Sequence, residues 1–297
     1  MNNIKSEFTI KDLENLSGIK AHTIRMWERR YAILQPQRTD INTRYYDVEN
    51  LQKLLNVVLL TKYGFKLARL GTMDGAALDA MVREVRSDKY DRNHVAHLFK
   101  IAMMTFDQHL FMKTYADLLQ ERSFREVFFD YFIPLLDDIG ILWQTRTISP
   151  AHEHFISGLI RMKILSNTDR LLSKAPQATN RVYALFLPYG EIHELGLLYL
   201  NYELTNLGNH TIYLGESIPL ESLERVKTLF KVVTFVTYAT VAPPKHEFAG
   251  YLEQLEQRLL RPECELWVLG ALVYEQPRHA NRNIKFFNSL KDALNEV

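Results

Sequence analysis

Short apolar runs alternate with helical stretches over residues 181–275, and this alternation constrains the fold more than any other feature of the chain. The runs VYALFLP, HTIYLG, VVTFVTYA and CELWVLGALV are separated by amphipathic segments such as LESLERVKTLF and EFAGYLEQLEQRLL. Strands separated by helices pair in parallel, because the chain crosses back over the sheet between them. The sequence therefore predicts an open, mostly parallel sheet of the doubly wound, Rossmann-like (flavodoxin-like) class.

In residues 76–175 the apolar residues recur at the spacing of an α-helix. Five segments with apolar positions three or four residues apart predict a bundle of four to five helices: AALDAMVREV, NHVAHLFKIAMMTF, HLFMKTYADLLQ, REVFFDYFIPLLDDIGILWQ and SPAHEHFISGLIRMKILSNTDRLLS. Pro134 is expected to kink or interrupt the fourth segment.

The N-terminal stretch predicts two short helices around a tight turn, with Ser17-Gly18 ending the first helix. In the second helix, Ile24 and Trp27 face inward, which leaves the polar residues outward. Arginine and threonine on such a helix can reach base edges and phosphates in a DNA major groove. The candidate DNA-binding residues of this helix are His22, Thr23, Arg25, Arg29 and Arg30.

A small β-wing is predicted to follow this second helix. The polar loop QPQR leads into NTRYYD, and Arg38 and Arg44 bracket the wing, with Tyr45 beside them. These residues are candidate contacts to the phosphate backbone. Residues 1–70 hold twelve Lys and Arg against seven Asp and Glu, a net charge of +5, while the whole chain carries +1. A basic first part attached to a mildly acidic body favours a polyanion partner for that part alone.

The pattern of residues 6–75 resembles a known DNA-binding domain. FTIKDLENLSGIKAHTIRMWERRY followed by RTDINTRYYD is similar to the winged helix of MerR-type transcription regulators. The resemblance implies binding to a double-stranded DNA operator.

The loop PYGEIHELG follows the first apolar run of the predicted sheet. Ligands of such sheets bind beyond the carboxyl ends of the strands, so His193 is a candidate ligand residue. An exposed histidine in the first turn of a helix is the alternative interpretation, and the loop by itself leaves both open.

Glu191-x-His193-x-x-Gly196 resembles the D/E-x-H-x-x-G motif of cobalamin-binding Rossmann-like domains. That resemblance implies that His193 is the lower axial cobalt ligand and that Glu191 orients its imidazole. Gly196 would let the helix begin close to the corrin or to its displaced nucleotide tail.

Trp143 is followed after nine residues by Glu153 and His154. This spacing resembles the helical cap of the cobalamin-dependent photoreceptor regulators within the MerR group. It implies that Trp143 covers the upper face of adenosylcobalamin, with Glu153 and His154 nearby. His152 is expected to be a surface residue.

The chain also departs from that family's pattern. Gln144 stands where light-sensing members carry a histidine, and an amide is a poor cobalt ligand, so a bis-histidine light state is not expected. The family's elements against the nucleotide tail correspond to Thr237 and Gly270. Thr237 supplies a hydroxyl, but Tyr238 and Ala271 add bulk there.

The predicted organisation is a multidomain α and α/β protein. It comprises a winged helix at 1–75, a helical bundle that caps the cobalamin site at 76–175, and a Rossmann-like cobalamin-binding domain at 176–297. Cys264 is the single cysteine, and no apolar run approaches the length of a membrane span. The expected location is cytoplasmic, with no membrane partner.

These observations favour a DNA-binding repressor that responds to a cobalamin and binds DNA as a homo-oligomer, a dimer or a tetramer. The alternative is a MerR-type regulator whose degenerate sensor binds no cofactor and responds to a protein partner or acts constitutively. A cobalamin enzyme is not expected, because such enzymes do not need a winged helix.

Overall fold

The computed structural model describes residues 7–38, 42–85, 92–173, 178–275 and 281–297. They fall into two compact units, residues 1–159 and 160–297. The division into three domains stays a prediction, and its proposed boundary at 175 lies outside the described residues. Among the described residues, no helix has both the length and the apolar composition needed to cross a bilayer.

The first unit begins with a helix-turn-helix and a wing. Thr9 caps α1 by accepting a hydrogen bond from the Asp12 backbone N–H at 3.2 Å, and Asp12 accepts one from the Thr9 N–H at 2.7 Å. Gly18, at φ 73°, ends α1 as predicted. The elements are α1 (Ile10–Ser17), α2 (Ala21–Tyr31), β1 (Gln37–Arg38), β2 (Arg44–Tyr45), α3 (Val48–Lys62) and α4 (Leu67–Gly71).

Each of the five segments predicted as helical over residues 76–175 is helical. An aromatic core holds them, in which Phe111 stacks on Phe132 with ring centroids 6.0 Å apart and Phe99 lies 5.0 Å from Phe111. The helices are α5 (Gly75–Val85), α6 (Arg92–Thr105), α7 (Gln108–Leu118), α8 (Phe124–Val127), α9 (Ile133–Gln144) and α10 (Pro150–Leu172).

Pro134 changes the helix type without breaking the chain's helical path. A π-helical turn at Phe128–Phe132 joins α8 to α9, and the Ile133 N–H donates to the Phe128 carbonyl. Proline lacks a donor and its ring crowds the carbonyl four residues earlier, so a widened turn accommodates it.

The second unit is built on a five-stranded sheet in which every neighbouring pair is parallel, which confirms the predicted fold class. The strand order β4-β3-β5-β6-β7 is the flavodoxin-like order. The elements are β3 (Ala178–Phe186), α11 (Leu195–Asn206), β4 (Asn209–Gly215), α12 (Leu220–Leu229), β5 (Val233–Tyr238), α13 (Phe248–Leu259), β6 (Cys264–Leu269), β7 (Ile284–Phe286) and α14 (Leu290–Leu294).

Strand order places the ligand crevice of this sheet. The chain passes from β3 to β4 on one side and then returns to place β5 on the other side of β3. The strand order therefore reverses between β3 and β5, and ligands of doubly wound sheets bind in the crevice beyond the carboxyl ends of the two strands at such a reversal.

Alternating side chains bury both faces of the sheet. Phe186 and Phe235 share a core with Leu252 of α13, while on the opposite face Trp267 contacts Tyr183 with ring centroids 5.6 Å apart. Strands covered on both sides read as nearly continuous apolar runs. This burial explains why β3, β5 and β6 were predicted from the sequence; the edge strand β4 was also predicted, although its residues are only half-buried.

Candidate functional site

Helix α2 presents its basic side to solvent. His22, Arg25, Arg29 and Arg30 are exposed, and Thr23 is half-buried. The five side chains predicted to contact DNA therefore lie on the accessible part of the helix. Exposed arginines on a helix can form bidentate hydrogen bonds to guanine or to phosphate.

The wing brings its two arginines side by side. Strands β1 and β2 are antiparallel, and Arg38 and Arg44 are register partners. The Tyr45 hydroxyl donates to the Gln37 side chain at 2.5 Å, which fixes the tyrosine against the neighbouring strand. Residues 39–41, between the strands, lie outside the described residues.

Glu28 of α2 connects the second helix to the wing. One of its carboxylate oxygens lies 3.5 Å from Arg44 Nε, and the other accepts a hydrogen bond from the buried Tyr46 hydroxyl at 2.9 Å. Burial and this hydrogen bond raise the pKa of Tyr46. Glu28 was not predicted to be a functional residue, although it directly follows Trp27 in the stretch that resembles the winged helix of MerR-type regulators.

In the second unit, Glu191 joins the two loops that leave β3 and β5. Its side chain is completely buried, and its Oε2 accepts hydrogen bonds from three successive backbone N–H groups. The donors are Thr240, Val241 and Ala242, at 2.8, 2.7 and 3.0 Å. The carboxylate therefore closes the base of the crevice where ligands of such sheets bind.

The other oxygen of Glu191 orients His193. Oε1 accepts from the backbone N–H groups of Ile192 and His193 and lies 2.6 Å from His193 Nδ1. An ionised carboxylate only accepts hydrogen bonds, so in the neutral imidazole the proton lies on Nδ1 and the lone pair on Nε2. The His193 side chain is 52% exposed. This is the tautomer in which Nε2 can bind a metal.

Hydrogen bonding keeps Glu191 ionised in spite of its burial. Burial alone raises the pKa of a carboxyl group, but the hydrogen bonds from His193, Val241 and Ala242 outweigh it and hold the pKa of Glu191 well below its usual range. A permanent negative charge at this position makes the imidazole a stronger electron donor.

Exposed apolar side chains lie close to His193 in the sequence and on the loop after β5. Tyr189 and Ile192 of the β3–α11 loop and Val241 after β5 are large hydrophobic residues that remain exposed. Exposed apolar residues grouped at the carboxyl edge of a sheet are typical of a binding surface for an apolar ligand.

Glu194, at the start of α11, is the centre of a network that the sequence did not predict. Its carboxylate pairs with Arg161 of α10 and accepts a hydrogen bond from the Tyr213 hydroxyl at 2.7 Å. Burial and the Glu194 charge raise the pKa of Tyr213. The network holds Glu194, the N-cap residue of α11, beside the end of β4, and thereby positions the helix that follows His193.

Gly196 lies against an aromatic ring. A Cβ atom at this position would be 2.8 Å from the Tyr238 ring carbons Cε2 and Cζ. A side chain at 196 would therefore displace Tyr238, the last residue of β5. Gly196 was expected to let a cofactor approach the helix, and in the structure the group that approaches it is the Tyr238 ring.

Thr237, the second-last residue of β5, and Gly270, which directly follows β6, lie at the same edge of the sheet. Thr237 is fully buried, and among the described residues its hydroxyl has no hydrogen-bond partner. Gly270 has φ 104°, and a Cβ there would lie 2.2 Å from the Ala239 carbonyl oxygen, so glycine is required. Buried hydroxyls without partners are rare, and an unmet hydrogen bond at this edge fits a ligand's polar group.

Residues of the predicted cap lie in the first unit. Trp143 and Gln144 are the last two residues of α9, and Trp143 is 56% exposed. Glu153 and His154 lie in the first turn of α10, with His154 Nε2 3.5 Å from Glu153 Oε2. A tryptophan that leaves more than half of its surface exposed is available to cover an apolar ligand.

The expectation that His152 is a surface residue is wrong. Its side chain is fully buried and stacks on Phe106 with ring centroids 4.7 Å apart. His152 Nδ1 lies 2.9 Å from the hydroxyl and 3.3 Å from the backbone N of Ser149, just before α10. The imidazole therefore occupies the place that a glutamate takes in a capping box.

Comparison with known proteins gives family matches to the winged helix and to the helical segment that follows it. Residues 8–74 match the MerR HTH family regulatory protein, and residues 95–165 match the B12 binding domain. The chain is 30% identical over 275 residues to the HTH-type transcriptional repressor CarH of Myxococcus xanthus, covering 89% of each protein. It is 26% identical over 253 residues to the repressor CarA of the same organism, covering 82% of this chain and 80% of CarA.

A solved structure supports the same fold. The monomethylamine corrinoid protein of Methanosarcina barkeri matches with a TM-score of 0.53 and 14% identity, over 69% of this chain and 93% of that protein. At this identity the match speaks for the fold alone. Identity over nearly the whole length of CarH, together with the two domain matches, shows that this chain belongs to the MerR-type transcription regulators that carry a B12-binding domain.

Proposed function

We propose that the chain is a transcription repressor whose DNA binding responds to a cobalamin held through His193. The observation that carries the proposal is the pair formed by a buried, ionised Glu191 and a half-exposed His193 at the carboxyl edge of the sheet. A carboxylate behind an imidazole is the arrangement that fixes histidine as a metal ligand in many proteins.

The surroundings of His193 fit a corrin. A macrocycle supplies four nitrogen ligands of its own, so cobalt needs a single protein ligand below it. Tyr189, Ile192 and Val241 offer apolar contacts to a flat ring, and the unmatched Thr237 hydroxyl offers a hydrogen bond. When bound, adenosylcobalamin supplies a cobalt–carbon bond that light breaks.

Trp143 has the properties required of the cap. Its exposed indole would cover the upper side of the cofactor, and Glu153 and His154 would donate or accept hydrogen bonds at the ribose or the corrin amides. Gln144 takes the place of a second histidine. An amide is a weak cobalt ligand, so we expect cofactor binding without a light state locked by two histidines.

DNA binding rests on α2 and the wing. One winged helix contacts half of a two-fold operator, so we propose that a homodimer or a homotetramer binds the complete site. Cobalamin can control DNA binding only if its affinity for the assembly that binds DNA differs from its affinity for the assembly that does not.

The decisive experiment titrates the purified chain with adenosylcobalamin in the dark and after illumination. Coordination by His193 in place of the benzimidazole changes the absorption spectrum, and size-exclusion mass reports assembly. His193→Ala should lose the spectral change. The matched control is His246→Ala, because His246 Nε2 also lies close to a carboxylate oxygen, at 3.4 Å from Glu247 Oε1, but both side chains are largely exposed.

The second candidate is a regulator whose sensor responds to a protein partner or is constitutive. The observation in its favour is Tyr238, whose ring fills the space beside Gly196. A titration with no spectral change and no cobalt retained after gel filtration would support this second function and contradict cobalamin control.

A further inference from the structure

Tyr238 closes one side of the carboxyl edge of the sheet. Its ring carbons and hydroxyl lie within 2.8 to 3.2 Å of the position that a Cβ at Gly196 would take. The ring therefore lies directly against the backbone at the start of α11. No additional group fits between the ring and this turn of the helix unless the ring moves.

A small pocket lies beside the same tyrosine. It measures about 200 Å³ and is lined by the ends of β5 and β6 and by the segment after β7, including Tyr238, Gly270, Ala271 and Phe287. Binding sites for drug-sized ligands occupy roughly 300–1,000 Å³. With the tyrosine ring in place, the pocket is thus smaller than a typical site for a nucleotide.

A hydroxyl group in this pocket indicates that it takes a polar ligand group. Thr240 lines the pocket, and its Oγ1 has no hydrogen-bond partner among the described residues. A buried hydroxyl without a partner is unfavourable. A ligand that satisfies this group is favoured, provided that it is small enough to enter.

Ligation by His193 creates the need for such a space. If the imidazole binds cobalt from below, the benzimidazole nucleotide of cobalamin must leave that position while it remains covalently attached to the edge of the corrin. It then has to lie near the β3–α11 loop, in the protein or in solvent. The crevice beside this loop is the one that Tyr238 narrows.

Resting on the proposed cobalamin function, we propose that Tyr238 determines which corrinoids the sensor accepts. Its ring excludes the bulky lower nucleotide and leaves the His193 surface accessible. The wild-type chain therefore binds a corrinoid without the nucleotide, such as cobinamide, at least as tightly as it binds complete cobalamin.

The test compares cobinamide and hydroxocobalamin binding to the full chain and its variants. Dissociation constants are measured by absorption and by retention of cobalt on gel filtration. Tyr238→Ala should strengthen cobalamin binding relative to cobinamide by roughly tenfold or more, as expected when a pocket gains the volume that a ligand needs. Tyr238→Phe keeps the ring and should behave as the wild type.

Thermal unfolding of each variant checks that it is folded. If Tyr238→Ala leaves the ratio of the two dissociation constants within about threefold of the wild-type ratio, the proposed role of Tyr238 is wrong even though the chain binds cobalamin. If neither corrinoid binds to the wild type or to either variant, the proposed function fails, and the role of Tyr238 fails with it.

Discussion

Glu191 Oε1 lies 2.6 Å from His193 Nδ1, and the same carboxylate accepts hydrogen bonds from backbone N–H groups on two loops. One buried side chain thus sets the tautomer of the candidate ligand and holds the loop after β5 against the loop after β3. A substitution at this position should therefore affect both tasks.

Glu191→Gln should destabilise the second unit and weaken cobalt ligation together. Glutamine has a single acceptor oxygen, so its amide would face backbone donors that Glu191 now satisfies. We expect a loss of about 3 kcal/mol in the free energy of unfolding and a loss of roughly 10- to 100-fold in cobalamin affinity. Urea unfolding and absorption titration measure the two effects. Glu247→Gln, at an exposed carboxyl group after β5, should change neither quantity.

Acid should weaken the second unit through Glu191. The pKa of this group is well below its usual range in the folded protein, whereas a glutamate in an unfolded chain titrates at about 4.3. Below that pH the unfolded state binds a proton that the folded state does not, so the stabilisation is complete above about pH 4.3 and is lost as pH falls towards the folded-state pKa. Urea unfolding at several pH values should show a free energy that falls with pH in this range. The slope should be smaller in Glu191→Gln; an unchanged slope would contradict the ionised state of Glu191.

Arg25→Ala and Arg44→Ala should each weaken operator binding. Arg25 is fully available on α2, so we expect a loss of about 1–3 kcal/mol if it reads a base. Arg44 already pairs with Glu28, so we expect it to contact a DNA phosphate and not a base. Its removal should then reduce the number of counterions released on DNA binding by about one, which lowers the salt dependence of the affinity. Gel-shift titrations at several salt concentrations measure both.

The control is Arg225→Ala, which removes the same charge from the exposed side of α12 and should leave DNA binding unchanged. If Arg25→Ala and Arg44→Ala both bind DNA as the wild type does, the assignment of α2 and the wing to DNA binding is wrong.

His152→Ala should destabilise the first unit. The substitution removes the stacking on Phe106 and the side chain that caps α10 at Ser149. We expect a decrease of about 1–3 kcal/mol in the free energy of unfolding. His109→Ala, an exposed position on α7, provides the comparison for thermal melting. Equal stability of the two variants would mean that the buried contacts of His152 contribute little.

The order of the elements could be predicted because local pattern and burial agree in most of the chain. Strand β7 was missed, since Ile284-Lys285-Phe286 is short and has a charged centre, and its pairing with β6 is what identifies it as a strand. His152 was misplaced for a related reason. Polar Glu153 and His154 follow it in the sequence, and it packs against Phe106 of a different segment.

Only the part of the candidate site that lies within a single loop could be predicted from the sequence. Glu191 and His193 are two residues apart, so their contact could be inferred from the motif. The network of Glu194 could not, because Arg161 lies 33 residues earlier and Tyr213 lies 19 residues later in the chain. The approach of Tyr238 to Gly196 likewise depends on strand order, which places β5 beside β3.

The hydrogen bonds of Glu191 also bear on how related sequences should be sorted. Because the acid binds two loops through backbone N–H groups of this chain, a regulator that lost its cofactor would still be under selection to keep it. Gly196 would be kept in the same way wherever an aromatic residue lies against it. Of the three motif positions, His193 is the one with a half-exposed side chain, so drift at that position would separate descendants that still bind a corrinoid from those that have ceased to do so.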